Sequence, residues 1–124
     1  MRISTESEVR SFLLSVKYAI QDRNWRLSWS RPKNKATIAE LGMDFEDIAY
    51  EIESLSVTNY HKGPSKDKEF EGDVWEFGKA VAGKEVYIKL KLVGDQRQQI
   101  VNVISFHFSE SPLSYPFKQS FKNI

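Results

Sequence analysis

One segment of the chain alternates apolar and polar residues without a break, and this pattern restricts the fold more than any other feature of the sequence. Within residues 85–93, the apolar positions 86, 88, 90 and 92 alternate with Tyr87, Lys89 and Lys91. Successive side chains of a β-strand point to opposite faces of its sheet, so the pattern predicts a strand with one face on a core and the other open. We expect functional side chains on the polar face.

Two further segments predict strands on either side of the alternating one. Residues 74–81 mix aromatic and β-branched residues, and residues 99–108 are apolar enough on both faces for a central strand. Turn residues at 82–83 and 94–95 separate the three segments. Connections this short predict an antiparallel meander.

The N-terminal half of the chain carries helix signals. Thr5 and Glu8 form a capping-box pattern ahead of a helix that runs to about residue 22, with Tyr18 on its apolar face. A short helix over 37–41 is expected to end at Gly42, and Asp44 caps a helix over 45–54. Helices followed by strands predict an α+β fold, in which helices pack on one face of a small antiparallel sheet.

The remaining segments are less regular. Residues 24–35 are basic, contain Trp25 and Trp29, and predict either a loop or a short strand; the tryptophans either cover the core or stack on bases. Residues 60–72 are expected to form a surface loop, and the proline-containing tail an irregular segment packed by Leu113, Tyr115 and Phe117. The acidic residues of the third helix, 46, 47, 51 and 53, are expected to form a solvated face.

Composition restricts the class of protein. The 124 residues fit one domain, with an N-terminal helix and extension over 1–36 and a core over 37–118. Cysteine is absent, which excludes thiolate chemistry and suits a reducing cytoplasm. Only two histidines are present, and a catalytic zinc site is not expected. The net charge of +1 gives no global attraction for nucleic acid, so any RNA contact must rest on a local patch.

Four polar side chains near the predicted strands have the chemistry that metal-free RNA cleavage needs. They are Lys62, Glu76, Tyr87 and His107. A carboxylate and an imidazole can divide the base and acid roles, a lysine can hold phosphate, and a tyrosine can donate a hydrogen bond. Each residue also has a structural interpretation, such as a surface ion pair for Glu76 or a solvated loop position for Lys62. His61 is the rival histidine.

The parity of the strands tests this hypothesis. Alternation places Tyr87 with Lys89, Glu76 with positions 74 and 78, and His107 with Ser105 and Val103. If those faces are the same side of the sheet, the site can form. If His107 points at the helices, it cannot.

From about residue 38 to residue 118, the chain resembles the MqsR-type toxins of bacterial toxin–antitoxin pairs, which are relatives of RelE-like mRNA interferases. The pieces that carry this resemblance occur in order: LGMDFEDI, LSVTNYHK, DVWEFGK, GKEVYIKLKL and VISFH. The family pattern places its active-site residues at Lys62, Glu76, Tyr87 and His107. Two positions depart from the pattern, since Glu76 replaces a glutamine and His107 replaces a lysine.

The resemblance implies a toxin that cleaves mRNA, either free or on the ribosome, without a metal or other cofactor and without a membrane. Glu76 would be the general base and His107 the general acid. Lys62 and Lys89 would stabilise charge on the non-bridging oxygens, Lys89 and Lys91 would bind the substrate, and Tyr87 would orient the phosphate or the sugar. The resemblance also implies a cognate antitoxin protein as partner. The alternatives are a non-catalytic toxin of the same fold that blocks a protein target and a regulatory binding module.

Overall fold

In the computed structural model, which describes residues 3–95 and 97–118, three helices precede most of a five-stranded sheet. The helices are α1 (Glu6–Gln21), α2 (Pro32–Leu41) and α3 (Phe45–Glu53), and the strands are β1 (Trp25–Leu27), β2 (Tyr60–Lys66), β3 (Asp73–Val81), β4 (Lys84–Gly94) and β5 (Gln99–Phe108). The order across the sheet is β1-β5-β4-β3-β2. Strand β1 runs parallel to β5, and all other neighbours are antiparallel. The predicted α+β class is confirmed.

Local signals in the sequence account for the ends of the helices. Thr5 and Glu8 form the expected capping box of α1, and Asp44 forms a second one with Asp47 at the start of α3. Gly42 ends α2 in the left-handed conformation, with φ of 65°, which costs a glycine little. Pro32 occupies the first turn of α2, where its missing N–H would have no partner in any case. The second helix is therefore longer than the 37–41 that we expected.

Helices α1 and α3 cover the apolar face of the sheet. The ring of Phe12 on α1 stacks on Trp75 of β3, with 4.3 Å between ring centroids. Ile48 and Ile52 of α3 are buried in the same core cluster as Ile88 of β4. Because these contacts occupy one face of β3 and β4, the alternating residues on the opposite face remain available for other roles.

Helix α2 instead covers an edge of the sheet. Strand β1 pairs only with residues 101–103 of β5, and the rest of that edge is bound by side chains of α2. The amide of Asn34 donates to the carbonyl of Ile104 (3.0 Å) and accepts from the N–H of Phe106 (2.9 Å), and the hydroxyl of Thr37 accepts from the N–H of Phe108 (3.1 Å). These side chains take the place of a neighbouring strand.

A bulge in β5 corrects one expectation about parity. Lys89 pairs with Ser105, but the next residue of β4, Leu90, pairs with Val103, so Ile104 is an extra residue. Val103 therefore lies in the core, whereas Ser105 and His107 face the other side with Lys89. The prediction that Val103 shares a face with His107 was wrong. His107 still points away from the helices.

Pairing between distant segments overturns one further expectation and decides between two alternatives left open. The segment 60–66 is strand β2 rather than loop, and residues 25–27 form the short-strand alternative, β1. Trp25 packs against the core, while Trp29 is 53% exposed. Tyr18 is exposed as well, which contradicts its assignment to the apolar face of α1.

The third helix shows one further correction. Glu51 does not lie on a solvated face, because its carboxylate pairs with Lys79 of β3 at 2.7 Å and its side chain is 19% exposed. This ion pair ties α3 to the sheet. Glu46 is exposed, as expected.

No helix within residues 3–95 and 97–118 is both long enough and apolar enough to cross a membrane.

Candidate functional site

Strand pairing places all four candidate catalytic side chains on the face of the sheet that the helices leave open. Lys62 of β2 pairs with Glu76 of β3, and Glu76 pairs with Lys89 of β4. In the next row of residues on the same face, Tyr87 of β4 pairs with His107 of β5. Directly paired residues point to the same side of a sheet, so these residues form two adjacent rows on one surface.

Glu76 is held at both of its carboxylate oxygens. The hydroxyl of Tyr87 donates a 2.6 Å hydrogen bond to Oε1, and the ammonium of Lys62 lies 3.9 Å from Oε2. The residue is 8% exposed. A carboxyl group this buried needs partners in place of the water it has lost, and here a hydroxyl and a cation supply them.

The hydroxyl of Tyr87 stays protonated over the ordinary pH range. Burial, and then the hydrogen bond to Glu76 and the negative charge of that carboxylate, raise the pKa of Tyr87 far above its ordinary value. A tyrosine in this state can donate a hydrogen bond but cannot accept a proton as a base near neutral pH. Its hydroxyl in this structure orients Glu76.

His107 lies beside Tyr87 at the end of the second row. The two ring centroids are 5.3 Å apart, and His107 Nδ1 lies 3.0 Å from the carbonyl oxygen of Phe108. A carbonyl only accepts hydrogen bonds, so Nδ1 carries the hydrogen in this contact. Nε2 is then the ring atom at which a proton can be gained or lost.

A cavity of about 690 Å³ opens over this face, beside Glu76 and Tyr87. One wall is the connection from β2 to β3, and the other comes from the segment between β1 and α2. Six cationic side chains line it against three acidic ones: Arg31, Lys62, Lys66, Lys68, Lys89 and Lys91 against Asp67, Glu69 and Glu76. The cavity is therefore positively charged although the whole chain is nearly neutral.

Each acidic side chain of the cavity is paired with one cation. Lys91 pairs with Asp67 at 3.0 Å, and Arg31 pairs with Glu69 at 3.7 Å, in addition to the contact of Lys62 with Glu76. The pair of Arg31 and Glu69 joins the two walls of the cavity. Three of the six cations stay without an acidic partner among the described residues, so the cavity remains positively charged.

The two lysines predicted to bind substrate differ in their surroundings. The side chain of Lys91 is 8% exposed, and its charge is committed to Asp67. The N–H of Glu69 and the ammonium of Lys91 lower the pKa of Asp67, so this loop carboxylate stays charged. Lys89 also lines the cavity, but no acidic partner lies within ion-pair distance of it in the part of the chain that the structure describes. Lys89 is the better placed of the two to meet a phosphate.

The C-terminal tail closes the other end of the polar face. Leu113 and Tyr115 lie over Gly78, where an added Cβ would clash with Leu113 Cδ1 and with the hydroxyl of Tyr115. Glu85 of β4 accepts hydrogen bonds from Ser109, from the N–H of Leu113 and from the hydroxyl of Tyr115. As expected, the tail is irregular and packs through Leu113 and Tyr115.

His61, the rival histidine, belongs to this tail contact. Its Nδ1 lies 2.8 Å from the carbonyl of Ser114, and it is placed on β2 next to Lys62. The structure thus gives His61 a partner in the tail and gives His107 a place beside Tyr87.

Several polar residues of the cavity were missed from the sequence, among them Arg31, Asp67 and Asn102. Arg31 and Asp67 lie in segments between strands, and Asn102 lies in an apolar stretch of β5. An isolated asparagine among valines and isoleucines was the signal that could have marked a polar role. Among the described residues, no group of three or more His, Cys, Asp or Glu side chains could hold a metal ion.

The described residues thus form an α+β domain in which helices cover one face of a mostly antiparallel sheet and a cavity lined mainly by cations opens on the other. The family model described as "Motility quorum-sensing regulator, toxin of MqsA" matches residues 10–108. Since this match spans most of the chain, the protein belongs to that toxin family, and membership implies an antitoxin as partner. No curated protein and no solved structure matches the chain.

The family match and the resemblance found in the sequence cover different parts of the chain. The match begins within α1 and ends at Phe108, whereas the resemblance began near residue 38 and included the tail. Helix α1 and strand β1 therefore belong to the matched region, and the tail lies beyond it.

Proposed function

We propose that this chain is the toxin of a type II toxin–antitoxin pair and inhibits translation by cleaving mRNA as a metal-independent endoribonuclease. The observation that carries the proposal is the placement of Glu76 and His107 on either side of Tyr87, on one face of the sheet. Glu76, Tyr87 and Lys89 line the cavity, and His107 lies beside Tyr87 outside its lining. A base, an acid and a cation on one surface are what cleavage by the ribose 2′-hydroxyl requires.

Cleavage would proceed by in-line attack. Glu76 removes the proton of the 2′-hydroxyl, and the 2′-oxygen forms a bond to phosphorus. Nε2 of His107 gives a proton to the departing 5′-oxygen as its bond to phosphorus breaks. The products are a 2′,3′-cyclic phosphate and a 5′-hydroxyl. Lys62 and Lys89 offset the negative charge that develops on the non-bridging oxygens.

The spacing of Glu76 and His107 suits this division of roles. They lie two strands and one row apart, which is roughly 12 Å between Cα atoms from ordinary strand spacing. The side chain of Tyr87 lies between them, so a phosphodiester would lie over Tyr87 with the base on one side and the acid on the other. In-line displacement needs this arrangement, because the attacking and leaving oxygens lie on opposite sides of phosphorus.

The expected antitoxin would act by covering the polar face or by binding beside it. The proposed substrate, mRNA that is either free or on the ribosome, places the action of the toxin in the cytoplasm.

The test is cleavage of a defined transcript by the purified chain in the presence of EDTA, with three single variants. Glu76→Gln keeps an oxygen to accept from Tyr87 but removes the base, and His107→Asn keeps an N–H for the Phe108 carbonyl but removes the acid. We expect each to cut about 10²- to 10⁴-fold more slowly than the unchanged chain. His61→Ala is the matched histidine control and should retain cleavage.

The outcomes separate the alternatives. Full activity of Glu76→Gln would show that this position needs only a polar side chain, like the glutamine of the family pattern. It would refute the assignment of Glu76 as the general base. Loss in His61→Ala but not in His107→Asn would move the acid to His61. Growth inhibition without cleavage, either in buffer or in a translation extract, would instead support the non-catalytic toxin.

A further inference from the structure

An exposed tryptophan lies at the rim of the cavity, on a turn that the proposed chemistry does not use. The N–H of Arg31 donates to the carbonyl of Ser28 at 3.3 Å, which closes a four-residue turn between β1 and α2. Ser28 and Arg31 both line the cavity, and Trp29 lies between them in the chain and is 53% exposed. Both ends of the turn therefore border the cavity, and Trp29 lies at its tip.

Two other aromatic rings hold the ring of Trp29 in place. Its centroid lies 6.4 Å from that of Phe45, the first residue of α3, and Phe45 makes an edge contact with Trp25 at 5.8 Å. Trp25 in turn packs against the core. Both centroid distances fall within the range of favourable contacts between aromatic rings. The ring of Trp29 is thus anchored to the core through Phe45, while about half of the residue remains open to solvent.

A cation without an acidic partner lies beside this turn. Arg26 of β1 pairs with Asn102 of β5, which pairs with Lys91 of β4, so the side chain of Arg26 points to the polar face of the sheet. Arg26 is exposed and forms no ion pair with any described residue. Trp29 follows three residues later, so the two Cα atoms are at most about 11 Å apart. A free guanidinium and an exposed ring therefore lie close together.

Cations that follow the backbone and aromatic rings that stack on bases are the two means by which proteins hold single-stranded nucleic acid. The cavity supplies the first through Lys66, Lys68 and Lys89, which have no acidic partner among the described residues. Arg26 and Trp29 continue this arrangement beyond the rim. A protein partner could also cover an exposed tryptophan, but the unpaired arginine and the continuity with a cation-lined cavity favour an anionic chain.

We propose that Trp29 and Arg26 form a second RNA contact outside the cavity, an inference that rests on the proposed function. A base stacks on the indole ring, and a neighbouring phosphate meets the guanidinium. Every base has a face that can stack, so this contact raises the affinity for longer RNA without selecting a sequence. It requires single-stranded RNA, because only unpaired bases are free to stack on a side chain.

The experiment compares a short and a longer RNA that cannot be cleaved. Both carry 2′-fluoro riboses, which cannot attack their own phosphates; one is a trinucleotide and the other has about ten nucleotides. The trinucleotide occupies the cavity alone, whereas the longer RNA also reaches Trp29. Affinity is measured by the anisotropy of RNA labelled at one end. Contact with the indole is measured by quenching of tryptophan fluorescence, since Trp29 is exposed while Trp25 and Trp75 pack against the core.

We expect the longer RNA to quench the fluorescence of the unchanged chain and to bind Trp29→Ala roughly 5- to 100-fold more weakly, with trinucleotide binding unchanged. Trp29→Phe keeps a ring and should recover part of the affinity. Tyr50→Ala removes another exposed aromatic side chain, on α3, and is the matched control that should bind like the unchanged chain. Arg26→Gln should lower the slope of log affinity against log salt by about 0.7, because one phosphate contact is lost. Urea unfolding shows that each variant is folded.

The outcomes distinguish this contact from the nuclease proposal. Equal affinity of Trp29→Ala and the unchanged chain for the longer RNA would overturn the contact even if the chain cuts a transcript. An equal loss for the trinucleotide would overturn it as well, because the substitution would then act on the cavity. Unchanged RNA binding by Trp29→Ala, together with loss of a co-purifying antitoxin, would assign the turn to a protein partner instead. Binding that depends on Trp29 in a chain that cuts no transcript would refute the nuclease and leave the contact standing. If the unchanged chain binds neither RNA, both proposals fall.

Discussion

Replacing Asn34 with alanine tests whether a single side chain substitutes for a strand at the edge of β5. Asn34 is 1% exposed and bonds Ile104 and Phe106 of β5 as well as the carbonyl of Ser28. In Asn34→Ala, the Phe106 N–H and the Ile104 carbonyl lose their hydrogen-bond partner in a buried place. The Ser28 carbonyl still accepts a hydrogen bond from the N–H of Arg31 at 3.3 Å.

The magnitude follows from counting these groups. A buried backbone group without a partner costs about 1–3 kcal/mol, so two of them should lower the free energy of unfolding by about 2–6 kcal/mol. Domains of this size are stable by only about 5–15 kcal/mol, so the variant should fold but be visibly weakened. In urea, its midpoint should fall by about 1 M or more at an unchanged slope.

Comparison variants make the result interpretable. Thr37→Val removes only the acceptor of the Phe108 N–H and should cost about 1–2 kcal/mol, and Lys35→Ala, on the exposed side of α2, should cost less than about 0.5 kcal/mol. A shift below about 0.5 kcal/mol for Asn34→Ala, or a ranking in which Thr37→Val is the more damaging, would refute the idea that Asn34 completes the edge of the sheet.

Three further predictions concern a turn, an interior tyrosine and the tail. Ala82 has φ of 52° in the two-residue turn between β3 and β4, a conformation that asparagine tolerates better, so Ala82→Asn should raise the free energy of unfolding by about 0.5–1 kcal/mol in urea. Because the pKa of Tyr87 is raised, its hydroxyl stabilises the fold below the ordinary tyrosine pKa of about 10, and this contribution is lost as pH rises further. The ultraviolet tyrosinate signal of Tyr87→Phe should therefore equal that of the unchanged chain until alkaline unfolding, and an earlier difference would contradict this. Burial raises the pKa of Glu85, but hydrogen bonds from Tyr115, Ser109 and a backbone N–H outweigh it and lower the net pKa, so Glu85 stabilises the fold above about pH 4 and loses that effect on acidification. Glu85→Gln should unfold at a lower temperature than the unchanged chain at neutral pH, and the difference between the two unfolding temperatures should shrink below about pH 4. A difference that does not change with pH would contradict this role of the Glu85 carboxylate in holding the tail.

What the sequence predicted well depends on interactions between neighbouring residues. The alternation of β4 and the capping residues Thr5 and Asp44 are local signals, and each gave the correct element. The polar face of β4 followed from the same alternation. Which residues of the other strands share that face was left open by the sequence, and the pairing of β3 with β4 decides it for Glu76.

What the sequence could not predict depends on contacts between distant segments. Strand β2 contains a glycine, a proline and two lysines, and only its pairing with β3 makes it a strand. The bulge at Ile104 reverses the parity of everything before it, and no alternation rule shows where an extra residue will be inserted. The sequence also gives no sign that Asn34 covers that edge, because asparagine is common in the first turns of helices for several other reasons.

The electrostatics of the cleft show why net charge was uninformative. The chain carries 18 basic and 17 acidic residues, which predicts no attraction for RNA. The fold collects twice as many cations as acids around one cavity and uses each of those acids to hold one cation in place. Lys66, Lys68 and Lys89 are then left without an acidic partner among the described residues. An anionic chain entering the cleft meets these three charges without first breaking an ion pair, so its attraction is set by the arrangement of a few lysines rather than by the charge of the whole protein.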